Sequence, residues 1–126
     1  MFNKRVTHPI AILLKEKGYD KPCLDRFDDN GIPVPTKLGM HGNPNNYSDS
    51  YSAPTIGDVI EWFYAKHGLW INCMYMGFEL KYSWSVDVIT TFGSNWDSFE
   101  EEGDTFYYSP IEGYEAAINY CLNKLI

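Results

Sequence analysis

Basic residues are scarce in this sequence. Of 126 residues only ten are Lys or Arg, against seventeen Asp or Glu, and the formal net charge is −7. A phosphate backbone demands a basic surface, so direct nucleic-acid binding is not expected. Cysteine is equally thin. The three cysteines, at 23, 73 and 121, are odd in number and too far apart for a paired-ligand motif or a disulfide framework. Such usage fits a reducing compartment. His8, His41 and His67 stand far from one another and from any Cys, so no metal site is expected. Long apolar runs are missing too. The stretch Ile10-Ala11-Ile12-Leu13-Leu14 stops at Lys15-Glu16-Lys17, which is too short for a signal-peptide core. Nothing approaches the roughly 18 apolar residues of a membrane span. A cytoplasmic protein with no membrane partner is the expectation.

Catalytic signatures are absent as well. There is no Gly-x-Ser-x-Gly, and the glycine-containing stretches lack the phosphate-cradle pattern and its Lys. The run Asp25–Gly31 resembles a calcium loop only superficially. Aligning Gly31 with the glycine of an EF-hand puts Arg26 and Lys37 where the ion needs oxygen. Cys23 is the one cysteine in a place that reads as exposed, yet no spacing sets it against His8 or His41 as a nucleophile–base pair needs. No enzymatic activity and no cofactor are expected.

What is present is a globular composition, 44% hydrophobic and 21% charged, of ordinary single-domain length over residues 1–126. Aromatic residues reach 17%, with ten Tyr and four Trp. Such rings fill cores, and they also anchor partners. Charge is uneven. Residues 1–40 carry seven Lys/Arg and five Asp/Glu, and residues 41–126 carry three and twelve. The acidic remainder suits a basic partner or simple solubility.

Periodicity predicts an α+β fold. A short N-terminal helix near 8–17 has Pro9 in its first turn and stops at Gly18. Asn30-Gly31 marks a small hairpin, with Pro33 confining its second arm to an edge. Residues 35–54 lack any period and read as a long irregular loop. Thr55 and Asp58 open an amphipathic helix about 56–67, closed by Gly68, with Ile56, Val59, Ile60, Phe63 and Tyr64 as its apolar stripe and Trp62 off it. Residues 69–76 read as a central strand covered on both faces. Phe78 to Phe92 alternates as its neighbour, giving a central hairpin about 69–92 that turns around 77–81. The stretch 93–104 reads as an acidic loop and 105–108 as a third strand. Ser109-Pro110-Ile111-Glu112 then starts a helix about 110–125. The expected architecture is a small antiparallel sheet of three or more strands packed by the two longer helices.

Two candidate surfaces follow. Tyr47 and Tyr51 sit among Ser, Asn and Asp, as in binding loops. Trp96 and Phe99 are interleaved with Glu100, Glu101, Glu102 and Asp104, an aromatic anchor in a charged rim. Together these eight residues form the expected contact for a protein partner, either a basic one or a second copy. The alternative is a small-molecule pocket between sheet and helices, lined by Tyr75, Tyr82, Trp84 and Tyr114. Each residue also has a plain reading, as core ring or as solvated loop.

The helix end Leu14-Lys15-Glu16-Lys17-Gly18-Tyr19, the segment Thr55–Trp62 and the segment Tyr108–Ile126 resemble a family of small uncharacterised proteins encoded by gut anaerobes and their prophages and phages. The resemblance rests on a Pro-Thr-capped helix bearing a Trp, an aromatic hairpin and a closing Ser-Pro-x-Glu helix. These are capping and core signals, and the family supplies no activity or catalytic residues. The resemblance implies a mobile-element accessory protein. The aromatic and acidic loops, with no catalytic signature beside them, add the expectation that it is non-enzymatic and binds another protein or itself.

Overall fold

In the computed structural model, which describes residues 2–37, 42–77, 81–89, 97–100 and 107–126, the chain is α+β. Two three-stranded antiparallel sheets and three α-helices form among the described residues. The chain divides into two units. Unit 1 is Met1–Phe2 with Gly57–Ile126, and unit 2 is Asn3–Ile56.

Unit 2 begins with α1, His8–Glu16, with Pro9 in its first turn and Ile10, Ala11 and Leu14 buried. Gly18 follows at φ 85°, a left-handed stop. Strands β1 (Asp25–Phe27) and β2 (Pro33–Pro35) form the expected hairpin. Its connection is longer than a two-residue Asn-Gly turn. The Asp28 carboxylate accepts from the amides of Asn30 at 2.9 Å and Ile32 at 3.0 Å, and Gly31 takes φ 76°. Pro33 and Pro35 lie on an edge, since the strand order is β2-β1-β3 with β3 at Tyr51–Ser52.

Within 35–54, expected as irregular throughout, the described residues include a 3-10 turn at Pro44–Asn46 and strand β3. Polar side chains, invisible to hydrophobic periodicity, fix them. Asn45 donates to the Tyr19 carbonyl at 2.9 Å and accepts from the Ser52 amide at 2.7 Å. Asn43 donates to the Asp20 carbonyl at 3.1 Å. The Lys15 ammonium donates to the carbonyls of Tyr47 and Ser50.

Unit 1 takes nearly all of α2, Ile56–Trp62. The helix widens into a π-helical turn, Phe63–His67, and ends on Gly68 at φ 65°. The buried side of this segment keeps the expected Ile56, Val59 and Phe63 but takes Trp62 in place of Tyr64. Trp62 is 1% exposed and Tyr64 50% exposed. The buried line runs Ile56, Val59, Trp62, Phe63, an i, i+3 course that brings Trp62 inward and turns Tyr64 out.

Strands β4 (Leu69–Met76), β5 (Lys81–Val88) and β6 (Asp97–Glu100) form the second sheet in the order β4-β5-β6. The hairpin register runs from Leu69↔Val88 to Met76↔Lys81. Two expectations are corrected. Among the described residues the apolar run 69–76 pairs on one side alone, and the alternating β5 lies between two strands. The third strand lies in the acidic stretch, at 97–100, because β5 offers it a partner edge from Ser85 to Val88. Of the strand expected at 105–108, Tyr107 forms an isolated bridge, exchanging backbone bonds with Tyr82 at 2.7 and 2.9 Å. Residues 78–80, 90–96 and 101–106, parts of the expected strands and acidic loop, lie outside the described residues.

Helix α3, Pro110–Tyr120, opens as its sequence predicts. Ser109 Oγ accepts from the Glu112 amide at 3.2 Å, and the Glu112 carboxylate accepts from the Tyr108 amide at 3.2 Å. A π-helical turn, Cys121–Leu125, completes it. α3 packs on the sheet face that carries Cys73, Tyr82 and Trp84. Gly113 stands so close that an added Cβ would meet Cys73 Sγ at 2.6 Å. No helix among the described residues is long and apolar enough to cross a membrane.

Candidate functional site

The first expected surface is split between the units. Tyr47 and Tyr51 belong to unit 2, where both are half-buried. Tyr51 pairs with Phe27 in the sheet. Its ring lies 4.8 Å from the Lys15 ammonium and edge-on to His8 at 5.6 Å. Burial lowers the Lys15 pKa, partly offset by Asp49. These contacts use the Tyr51 ring to build unit 2. In unit 1, Phe99 is half-buried with its ring 6.2 Å from Tyr120, and Glu100 lies in β6 opposite Ser85. Trp96, Glu101, Glu102 and Asp104 lie outside the described residues.

Among the described residues, Trp84 and Tyr114 of the alternative pocket border different cavities. Tyr75 is 54% exposed and packs its ring 5.3 Å from Tyr82. Trp84 is buried, 4.9 Å from Tyr120, and borders a depression of about 300 Å³ with Tyr107, Asn119 and Lys124. Tyr114 faces a different cavity, edge-on to Phe2 at 5.2 Å. Burial raises its phenol pKa, and Cys73 beside it adds to the rise.

The Tyr114 cavity is the better-formed site. It measures about 370 Å³ and is walled by Phe2, Ile60, Tyr64, Trp70, Ile71 and Tyr114, with Gly57 at its floor and the exposed Glu61 at its rim. Gly57 admits the Phe2 chain. Its amide donates to the Phe2 carbonyl at 3.0 Å, and an added Cβ would stand 3.2 Å from Phe2. The Tyr64 ring meets Trp70 edge-on at 5.6 Å. Trp70 is itself 42% exposed, with its indole N–H donating to Asn72 at 3.1 Å.

Trp70 and Ile71 are consecutive in β4, so their side chains leave on opposite sheet faces. Both wall the cavity. The cavity therefore lies along the outer edge of β4. That edge is not free for a further strand: the Cys73 amide donates to the Tyr114 hydroxyl, and Leu69 and Ile71 are buried. The Ile89 amide donates to the Gly68 carbonyl at 2.7 Å, which makes Gly68/Ile89 a hydrogen-bonded pair. Antiparallel ladders alternate. Trp70, Asn72 and Met74 thus bond toward β5, while Leu69, Ile71, Cys73 and Tyr75 aim their N–H and C=O groups outward. No strand pairs with that side among the described residues.

The sequence reading missed this site because it took 69–76 as buried on both faces. The overlooked signal is the lack of any charge or Pro in Leu-Trp-Ile-Asn-Cys-Met-Tyr-Met, unusual for an edge.

Other chemistry is not assembled. Cys23, expected as exposed, is buried. Its amide is tied to Gly42 and its carbonyl to the Thr36 hydroxyl. Burial pushes the Cys121 thiol up to about 12 and raises that of Cys73. Thiols so shifted stay protonated at neutral pH and are poor nucleophiles. Among the described residues no three His, Cys, Asp or Glu converge as metal ligands. No protein-family model, curated protein or solved structure matches the chain.

Proposed function

We propose that this chain is a small non-enzymatic accessory protein whose unit 1 binds an extended segment of another polypeptide. The segment sets one large apolar side chain in the cavity beside β4. The observation that supports this reading is an apolar cavity of about 370 Å³ bordered by the half-exposed rings of Tyr64 and Trp70. A single aromatic or aliphatic anchor seated in such a pocket supplies much of an interface's energy. Glu61 at the rim, with a net charge of −7, favours a segment carrying Lys or Arg beside its anchor.

Selection of random peptides on the purified protein tests the reading. The expected winners carry an aromatic or large aliphatic anchor next to a basic residue. They shift the Trp70 and Tyr114 resonances together with those of Glu61 at the rim, and they lose affinity for Trp70→Glu. Winners that leave those resonances unchanged, or no winners at all, would overturn it.

A second reading uses the same cavity for a small apolar molecule bearing an amine. Its size falls in the range of ligand sites. Such a molecule would shift the Tyr114 and Trp70 resonances and leave those of residues outside the cavity unchanged.

A further inference from the structure

We infer that the cavity beside β4 receives a methylated ammonium group. The inference rests on the reading of that cavity as a binding site and names the group it takes.

Four of its walls are aromatic rings, Phe2, Tyr64, Trp70 and Tyr114. They stand as two edge-to-face pairs. Phe2 and Tyr114 meet at 69° with centroids 5.2 Å apart, and Tyr64 and Trp70 meet at 82° and 5.6 Å. Rings set at such steep angles offer a guest more than one wall, and a cation is attracted to the negative face of each ring it covers. Phe2, Tyr64 and Trp70 are half-exposed, so a guest with an apolar skin also removes their surface from water. All these walls lie within unit 1.

Charge separates a cation from a neutral guest. No Lys or Arg lines the cavity, and Glu61 at its rim makes no ion pair among the described residues. The net charge of −7 acts in the same sense. Hydrogen-bonding capacity separates a methylated head from a plain one. A primary ammonium carries three donors, and each needs an acceptor once it leaves water. Acceptors among the wall side chains are few. The Glu61 carboxylate is one, and the Tyr114 hydroxyl already accepts from the Cys73 amide. Methylation keeps the charge, removes donors and adds apolar surface that fits against rings.

Choline and its neutral isostere, the alcohol with carbon in place of nitrogen, test the charge when titrated into the purified protein. Choline should bind about tenfold more tightly, the size of a cation–ring preference, and should shift the Trp70 and Tyr114 resonances. Glu61→Gln, a change at an exposed side chain, should weaken choline and leave the isostere unchanged. Trp70→Leu keeps an apolar wall but removes a ring face, and should erase most of the preference while circular dichroism shows a folded protein. A peptide bearing trimethyl-lysine should bind more tightly than the same peptide bearing lysine. Affinity above that of choline assigns the group to a polypeptide, and affinity below it to a free small molecule. Equal affinity for choline and the isostere, or for the two peptides, would overturn the inference. So would a failure of every methylated ammonium to bind. Selected random peptides, which carry no such group, would then still shift the cavity resonances if the broader reading holds.

Discussion

Gly113 shows how little room α3 leaves above the sheet. In a helix interior Ala is favoured over Gly by about 1 kcal/mol. Here the new methyl would meet Cys73 Sγ at 2.6 Å, and overpacking of this kind typically costs about 1–3 kcal/mol. Gly113→Ala should therefore lower stability in urea unfolding, and the sign should reverse in a Cys73→Ala background, where the clash is gone. If the substitution destabilises both backgrounds alike, the Cys73 contact is not its cause. Trp62 teaches a related point about reading residues. Its neighbours Glu61 and Lys66 place it on a polar face, yet it is buried and packs 4.8 Å from His67. Side-chain counting along an ideal helix misses this, because the segment follows an i, i+3 line and then loosens into a π-helical turn.

At the scale of elements, local chemistry was the most readable part. Ser109, Pro110 and Glu112 signal the start of α3 from neighbouring residues alone, and Gly68 signals the end of the preceding helical segment. Ser109→Ala should cost about 1 kcal/mol, seen as a lower urea midpoint with an unchanged slope. What pairs with what was not readable. Composition marked 69–76 as central, yet centrality depends on who lies alongside, and β6 is recruited from an acidic stretch that carries no strand signal of its own. The turn after α2 also gives a pH dependence. His67 Nε2 is buried without a hydrogen-bond partner, and desolvation first, then Lys66, lowers the ring's pKa below 6.5. The unfolded chain takes up a proton near its ordinary imidazole pKa while the folded chain resists it. This contribution to stability is thus complete above pH about 6.5 and is lost as pH falls toward the lower folded value. His67→Phe should flatten that part of the stability–pH curve, and an equal slope in both proteins would refute the assignment.

Across the whole molecule, a net charge of −7 makes copies repel one another at long range and favours a basic partner. Added salt screens that attraction. Peptides selected for a basic residue beside an apolar anchor should therefore bind more weakly from low to moderate ionic strength, and an affinity unchanged by salt would assign binding to the anchor alone. The α+β class was legible from periodicity. The division at Ile56/Gly57 was not, since no composition change marks it. Among these features Gly68 reaches furthest. Its left-handed backbone lets the carbonyl receive Ile89, and a side chain there would collide with the Ile89 carbonyl oxygen at 2.9 Å. This one turn acts as the indexing pin of the hairpin. Were β4 to slip by a single residue against β5, its side chains would trade faces, and Leu69 and Ile71, now buried, would turn toward water.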